Sequence, residues 1–351
     1  MSSRSSSIRF LAVIQLVGLF VSGCQPVSEP PLVDKDSSGF PLLSGDYLGQ
    51  EPPGMEAELF APGIVSTGLG ERDVAMTPDG NELYYTAVVG PAFNFGAIVV
   101  TKRVDGQWTP PEVAPFSGQY MDLEPAISPD GQQFFFMSTR PLPGTTEPAG
   151  HEDIWAMDRT GESWGEPYNL GPPVNTEGGE FFPSVTTDGT LYFTRKVEEG
   201  SESIYRSRLV DGVYTEPEIL PEQVNSGQLR FNAFIARDES YIIVPVWGRE
   251  DSLGGVDYYI VFRSPEDVWS EPINMGETVN AAEGAEWSPY VSPDGKYLFF
   301  MSSRATIQER FSPVPQTYDS LQDLHNQPMN GSFDIWWIDA RIIEELRPEG
   351  F

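Results

Sequence analysis

The chain has 351 residues, with 52 acidic against 21 basic side chains for a formal charge of -31, two histidines and one cysteine. So negative a chain disfavours nucleic acid and anionic lipid headgroups as partners. A lone cysteine excludes an internal disulfide, and two histidines beside it do not build the usual nitrogen and sulfur metal centres.

The first predicted element is an export signal. Residues 1–23 carry Arg4 and Arg9 and no acid, then a mostly apolar run from Phe10 to Val21 and a small-residue exit. That run is shorter than the roughly 20 apolar residues of a spanning helix. The exit, Val21-Ser22-Gly23-Cys24, resembles the lipobox of bacterial lipoproteins. The resemblance implies cleavage before Cys24, lipid on its thiol, and a protein attached to a membrane of the bacterial cell envelope. Acyl chains anchor at about 0.8 kcal/mol per buried CH2, so two or three hold stably. Gln25 stands where an aspartate would resemble an inner-membrane retention signal, which implies the outer membrane, facing the periplasm, in a two-membrane envelope.

Residues 24–54 are rich in Pro, Gly and Ser without a sustained period and read as a lipidated tether. Within it, Asp34-Lys35-Asp36-Ser37-Ser38-Gly39 imitates the start of a calcium loop. Gly45 occupies the place of the bidentate acid, so no metal is expected there.

Residues 55–351 repeat one unit five times. Its anchor is an aspartate, Asp79, Asp130, Asp188, Asp238 or Asp294, mostly in an Asp-Gly turn. A short strand precedes each turn and a β-prone run follows, such as FFFM, LYF, YIIV or YLFFM. Asp-Gly between two such runs predicts a hairpin, because glycine takes positive φ cheaply. A third strand shows as Asp153-Ile154-Trp155, Ser203-Ile204-Tyr205, Asp257-Tyr258-Tyr259 and Asp334-Ile335-Trp336. The fourth is marked by an aromatic with proline three residues on: Trp108 and Pro111, Trp164 and Pro167, Tyr214 and Pro217, Trp269 and Pro272.

Four strands per unit of roughly 50 residues is the pattern of a β-propeller. The repeats resemble the TolB-type, WD-repeat-like propeller family. Its mark is the Ser-Pro-Asp-Gly turn, then aromatics and a Ser-x-Arg, here Ser138-Thr139-Arg140 and Ser302-Ser303-Arg304. The fold expected is all-β: a five-bladed propeller of four-stranded antiparallel blades, with six as the alternative count. The last unit lacks a fourth strand, and Met55 to Ala61 aligns with the one at Trp164 to Leu170. The N-terminal strand is therefore expected to close the last blade, which removes exposed sheet edges. The resemblance implies protein binding or scaffolding, although this chain lacks the separate N-terminal domain of TolB.

Inner-strand residues form rings around the axis. Eight before the anchor aspartate stand Glu71, Asp122, Glu180, Arg230 and Glu286; six before it stand Asp73, Glu124, Phe182, Asn232 and Ser288. Acids crowded at a channel mouth raise one another's pKa or recruit a cation, which makes the first ring the candidate for ligand contacts. The plainer reading is that a residue type repeated in every blade makes the same local hydrogen bonds in each, for example to the preceding Asn175, Asn225 or Asn280. Arg230 breaks the acidic ring and is the first candidate for a carboxylate or phosphate.

No catalytic residue is assigned. A Gly-x-Ser-x-Gly elbow is missing, and His151, at the start of a third strand, reads as a loop residue. A carboxylate-dependent glycosidase stays open, because its acid pair is defined by a separation that sequence does not give. Most of the eight tryptophans sit at repeated positions and suit packing between blades. Trp247 and Trp287 do not repeat and are candidates for exposed contacts. Residues 305–332 are an insertion between the second and third strands of the last unit, where Arg310, Tyr318 and His325 are candidates for a partner surface. The sequence thus leads to a noncatalytic, envelope-anchored propeller without cofactors that binds a protein, with a glycan- or solute-binding protein as the alternative.

Overall fold

The computed structural model describes residues 35–90, 93–196, 198, 201–282, 284–305 and 315–351. The signal-like segment, Cys24 and Arg310 lie outside the described residues. Residues 35–41 belong to a separate small unit. There Asp36 Oδ1 accepts from the Ser38 N–H and hydroxyl and from the Phe40 N–H, a side-chain-capped turn.

From Leu42 onward the chain is a five-bladed propeller of antiparallel sheets. Blade 1 consists of Gly70–Met76, Glu82–Val89, Phe95–Val104 and Glu112–Val113, from the axis outward. Blade 2 consists of Asp122–Ile127, Gln133–Ser138, Asp153–Thr160 and Tyr168–Asn169. Blade 3 consists of Glu180–Val185, Leu191–Lys196, Glu202–Ser207 and Glu218–Ile219. Blade 4 has an inner strand split into Leu229–Arg230 and Phe234–Ile235, then Tyr241–Trp247, Val256–Phe262 and Ile273–Asn274. Blade 5 consists of Tyr290–Val291, Tyr297–Ser302 and Asp334–Asp339, and its outer strand is Glu58–Leu59 from the other end of the chain. The register Glu58↔Trp337 and Leu59↔Trp336 is the closure expected from the sequence.

Each pair of neighbouring blades buries its own aromatic and β-branched cluster. Tyr84, Phe134, Phe136 and Trp155 fill the gap between blades 1 and 2, and Tyr258, Ile260, Leu298 and Phe300 the gap between blades 4 and 5. The repeated runs FFFM and YLFFM are buried on both faces because every blade is packed on both sides.

Two boundaries differ from expectation. The tether does not extend to residue 54: Trp108 Nε1 donates to Gly45 O, and Leu48 is buried with Phe60, Trp108 and Trp337. Leu43, Tyr47 and Leu48 give that Pro/Gly-rich stretch enough apolar surface to dock. The fourth strand is also broken where one run was expected. Trp108, Trp164 and Tyr214 sit in two-residue hairpins off the third strand or its continuation, and the edge strand resumes only after the proline, which has no N–H for a ladder.

Inside the insertion, Tyr318–His325 is a helix with a capping box between Thr317 and Ser320. None of its residues is buried. No described helix is long and apolar enough to cross a membrane.

Candidate functional site: two layers along the axis

The loops between second and third strands mark one end of the propeller, here the insertion end; the Asp-Gly turns mark the turn end. The first ring lies at the insertion end, and its carboxylates are bound within their own blades. Asp122 accepts from Ser138 Oγ at 2.6 Å, Arg140 Nη2 at 2.8 Å and Ser117 Oγ at 3.0 Å. Glu180 accepts from Arg195 Nε and from both the N–H and the hydroxyl of Thr176, all at 2.7 Å. Glu71 accepts from the N–H and hydroxyl of Thr67, and Glu286 from Ser302 Oγ and Ala281 N. The four carboxylates do not share a ligand-like focus.

The Ser-x-Arg pattern has a physical role in this layer. The serine donates to the ring carboxylate, and the arginine stacks on the blade's own aromatics, Arg140 over Phe136 and Trp155 and Arg304 over Phe300 and Trp336. The asparagines do not serve the carboxylates. Asn175 accepts from Ile154 N–H and donates to Ile154 O, and Asn280 clips Tyr258 in the same way. A side-chain amide mimics a strand partner there, which an aspartate-directed contact would forgo.

Burial pushes Glu71 up to about 7, against the lowering effect of Thr67. Burial likewise pushes Glu286 up to about 7, with Ser302 and Arg304 opposing. Arg230 turns toward blade 3, where Nη2 donates to Ser203 Oγ at 3.1 Å; among the described residues it forms no ion pair with a carboxylate. Burial lowers its pKa.

The second ring converges where the first does not. Arg72, one residue from it in sequence, donates from Nε to Asp73 Oδ1 at 2.8 Å and from Nη2 to Glu124 Oε1 at 2.9 Å. Ser288 Oγ donates to Asp73 Oδ1 at 2.5 Å and accepts from Arg72 Nη2 at 3.3 Å. Asn232 Nδ2 reaches the same hydroxyl at 3.5 Å. Blade 3 adds the Phe182 N–H, which donates to Glu124 Oε2 at 2.7 Å. All five blades therefore meet at one polar knot on the axis.

The backbone is bent to make this meeting. Ladder register shifts between Arg72 and Ala75, Leu123 and Ala126, and Phe181 and Ser184, and Asp73, Glu124, Phe182 and Asn232 have φ of 58°, 61°, 52° and 51°. Non-glycine residues pay about 1–3 kcal/mol there unless the surroundings fix them. The preceding blade supplies the fixing bond: Glu124 N–H to Thr86 Oγ1, Asn232 N–H to Thr194 Oγ1 and Ser288 N–H to the Tyr258 hydroxyl.

Burial drives Glu124 well above the usual carboxylate range; Arg72 opposes this and Asp73 adds to it. Burial disfavours the charge on Arg72, but Asp73 and Glu124 outweigh it and the net shift is upward. Toward the turn end, Asp73, Glu124, Phe182, Pro183, Pro289 and Tyr290 line a pocket with about 40 Å3 of space for water centres. At roughly 10–15 Å3 each it has room for about three waters. Asp73 Oδ2, which is buried without a protein donor, belongs to a residue lining this cavity and is an acceptor for such a water.

Trp287 is half-buried at the channel mouth among Phe93, Phe231 and Phe333, while Trp247 is 46% exposed. Tyr318 and His325 lie at opposite ends of the insertion helix, both exposed. Among the described residues no group of three or more His, Cys, Asp or Glu side chains is placed to hold a metal.

The inner knot escaped the sequence reading in one respect: Arg72 was not singled out. Its signal is the triplet Glu71-Arg72-Asp73, with a cation at a ring position where the other blades have Leu123, Phe181, Phe231 and Trp287.

No protein-family model matches the chain, and no curated protein matches it. Solved structures with a similar fold include TolB from Acinetobacter baumannii, 16% identical over 78% of this chain with a TM-score of 0.44. The aligned part spans 57% of that protein's length. A putative TolB from Agrobacterium tumefaciens is 17% identical over 77% of this chain and 90% of its own, with a TM-score of 0.45. An alpha-L-arabinofuranosidase from Lactobacillus brevis is 12% identical over 78% of this chain and 91% of its own, with a TM-score of 0.44.

Proposed function

We propose that the chain is a noncatalytic binding propeller of the bacterial cell envelope, held to the outer membrane by lipid on Cys24 and presenting its insertion end to a protein partner. The observation that carries this reading is the closure of the axis by Arg72. One guanidinium donates to both buried acids, Asp73 and Glu124, so the carboxylates that a channel ligand would meet are already bound. What the fold leaves for recognition is its surface, where an insertion helix without a buried residue is presented to solvent.

One feature favours a second reading, a carboxylate-dependent glycosidase. Burial drives Glu124 upward beside Asp73, the direction in which the acid member of an acid and base carboxylate pair is shifted. Both oxygens that face Arg72 are already engaged, which opposes it.

The test uses the soluble form, residues 25–351, with aryl furanosides and aryl pyranosides as substrates. No turnover is expected. Hydrolysis that disappears in Asp73→Asn would overturn the noncatalytic reading. The anchor is tested separately: Cys24→Ser should move the full chain from the membrane to the soluble fraction, and unchanged membrane recovery would refute lipid attachment there.

A further inference from the structure

We propose that the insertion end of blades 4, 5 and 1 is a docking surface for an apolar protein segment flanked by lysine or arginine. This rests on the partner-binding reading above and specifies its surface and partner chemistry.

Three observations lead to this arc. The first is asymmetry. Val89 and Phe95 of blade 1, Trp247 and Leu253 of blade 4, and Tyr318 and Leu321 of the blade 5 insertion are exposed at this end. Among the described residues, the corresponding loops of blades 2 and 3 expose no large apolar side chain. Tyr318 is 75% and Leu321 54% exposed on a helix that buries nothing, so the core does not explain them.

The second is continuity. Phe231 of blade 4 meets Trp287 of blade 5 edge-on at 5.9 Å, and Trp287 meets Phe333 at 4.9 Å and Phe93 of blade 1 at 5.7 Å. Phe93 and Phe333 stack with an interplanar angle of 5°. The three blades thus share one aromatic floor across the channel mouth. The insertion is tied to it, since Asn330 Nδ2 donates to both Gly68 O and His325 O beside exposed Leu69.

The third is charge. Asp319 and Asp323 on the helix and Glu250 in the blade 4 loop are exposed and form no ion pair among the described residues. Of the cations nearby in blade 4, Arg249 is already paired with Asp251 at 3.0 Å and Arg230 turns away to Ser203 of blade 3. An apolar floor with an acidic rim selects a basic-flanked apolar segment and repels an anionic lipid surface. Phe93 and Phe333 already pack on Trp287, which removes that indole as a stacking platform for a glycan.

The experiment measures fluorescence anisotropy of a labelled amphipathic Leu/Lys peptide with the soluble form, against its Leu/Glu counterpart, anionic vesicles and cello-oligosaccharides. Binding of the Leu/Lys peptide alone is expected. Trp247→Ala and Tyr318→Ala should each weaken it about tenfold, the size of an interface anchor, while melting within about 2 °C of the parent because both side chains are exposed. Asp323→Asn should weaken it about twofold, and Glu147→Gln, the same charge change on blade 2, should leave it unaltered.

Equal effects of Asp323→Asn and Glu147→Gln with none from Trp247→Ala would show diffuse attraction and overturn the surface. Binding of the Leu/Glu peptide, the vesicles or the oligosaccharides in preference, or no binding at all, would overturn the partner chemistry. Each of these leaves the noncatalytic reading intact, which fails only through the hydrolysis assay.

Discussion

The same inner strands carry two layers of charge that behave differently. In the outer layer, Asp122 and Glu180 are bound by Arg140 and Arg195 of their own blades, and Glu71 and Glu286 by the nearby hydroxyls of Thr67 and Ser302. In the inner layer, Arg72 binds Asp73 of its own blade and Glu124 of the next, and Ser288 and Asn232 join from blades 5 and 4. The difference teaches that a residue type repeated in every blade has a task in every blade, whereas side chains that differ among blades can meet at the axis and do one thing together.

The largest effect expected is from Arg72→Met. Removing one cation from between two buried acids leaves their charge uncompensated, at a cost of about 3–5 kcal/mol in denaturant unfolding. Arg140→Met deletes a partner within one blade and should cost less, about 2 kcal/mol. Equal losses would erase the distinction between the layers.

Next comes pH. Glu71 and Glu286 are raised to about 7 by burial, and Glu124 shifts in the same direction. Between the ordinary carboxyl range near 4.5 and about 7, the unfolded chain is ionised while the folded one keeps these protons. The folded state then binds more protons, so stability falls as pH rises through that window and levels off above it. Glu71→Gln should flatten the fall in the melting temperature measured from pH 5 to pH 8. A melting temperature that rises over that range would contradict the assignment.

Smaller still is Thr86→Val, which removes the hydroxyl that receives the Glu124 N–H at a left-handed backbone position. The expected loss is about 1–2 kcal/mol. Tyr318→Ala should be close to silent in stability, within about 0.5 kcal/mol, because the side chain is 75% exposed.

Much of the architecture was legible because the blade is a local object. Asp-Gly turns, flanking β-prone runs and the missing last strand led to five blades and to closure by Glu58–Leu59 without knowledge of any long-range contact. The docked stretch around Leu48 was not legible, since its Pro/Gly content hides three apolar residues whose partners are far away in sequence. The ring of acids was legible as a ring, and the reading of repeated residues as locally bonded agrees with Asp122 and Glu180. The asparagine partners were not, because Asn175 satisfies a strand end that only the folded blade presents. Arg72 stayed hidden for a different reason. Counting positions finds what recurs, and Arg72 matters because nothing else at its ring position is charged.

The central claim is that the inner layer is one coupled knot across blades and the outer layer is not. Two double-mutant cycles measure this directly: Arg72→Met with Glu124→Gln, across blades in the inner layer, against Arg140→Met with Glu180→Gln, across blades in the outer layer, by urea unfolding of the soluble form. A coupling of about 2 kcal/mol or more is expected in the first cycle and additivity within about 0.5 kcal/mol in the second. Additivity in both cycles would contradict it.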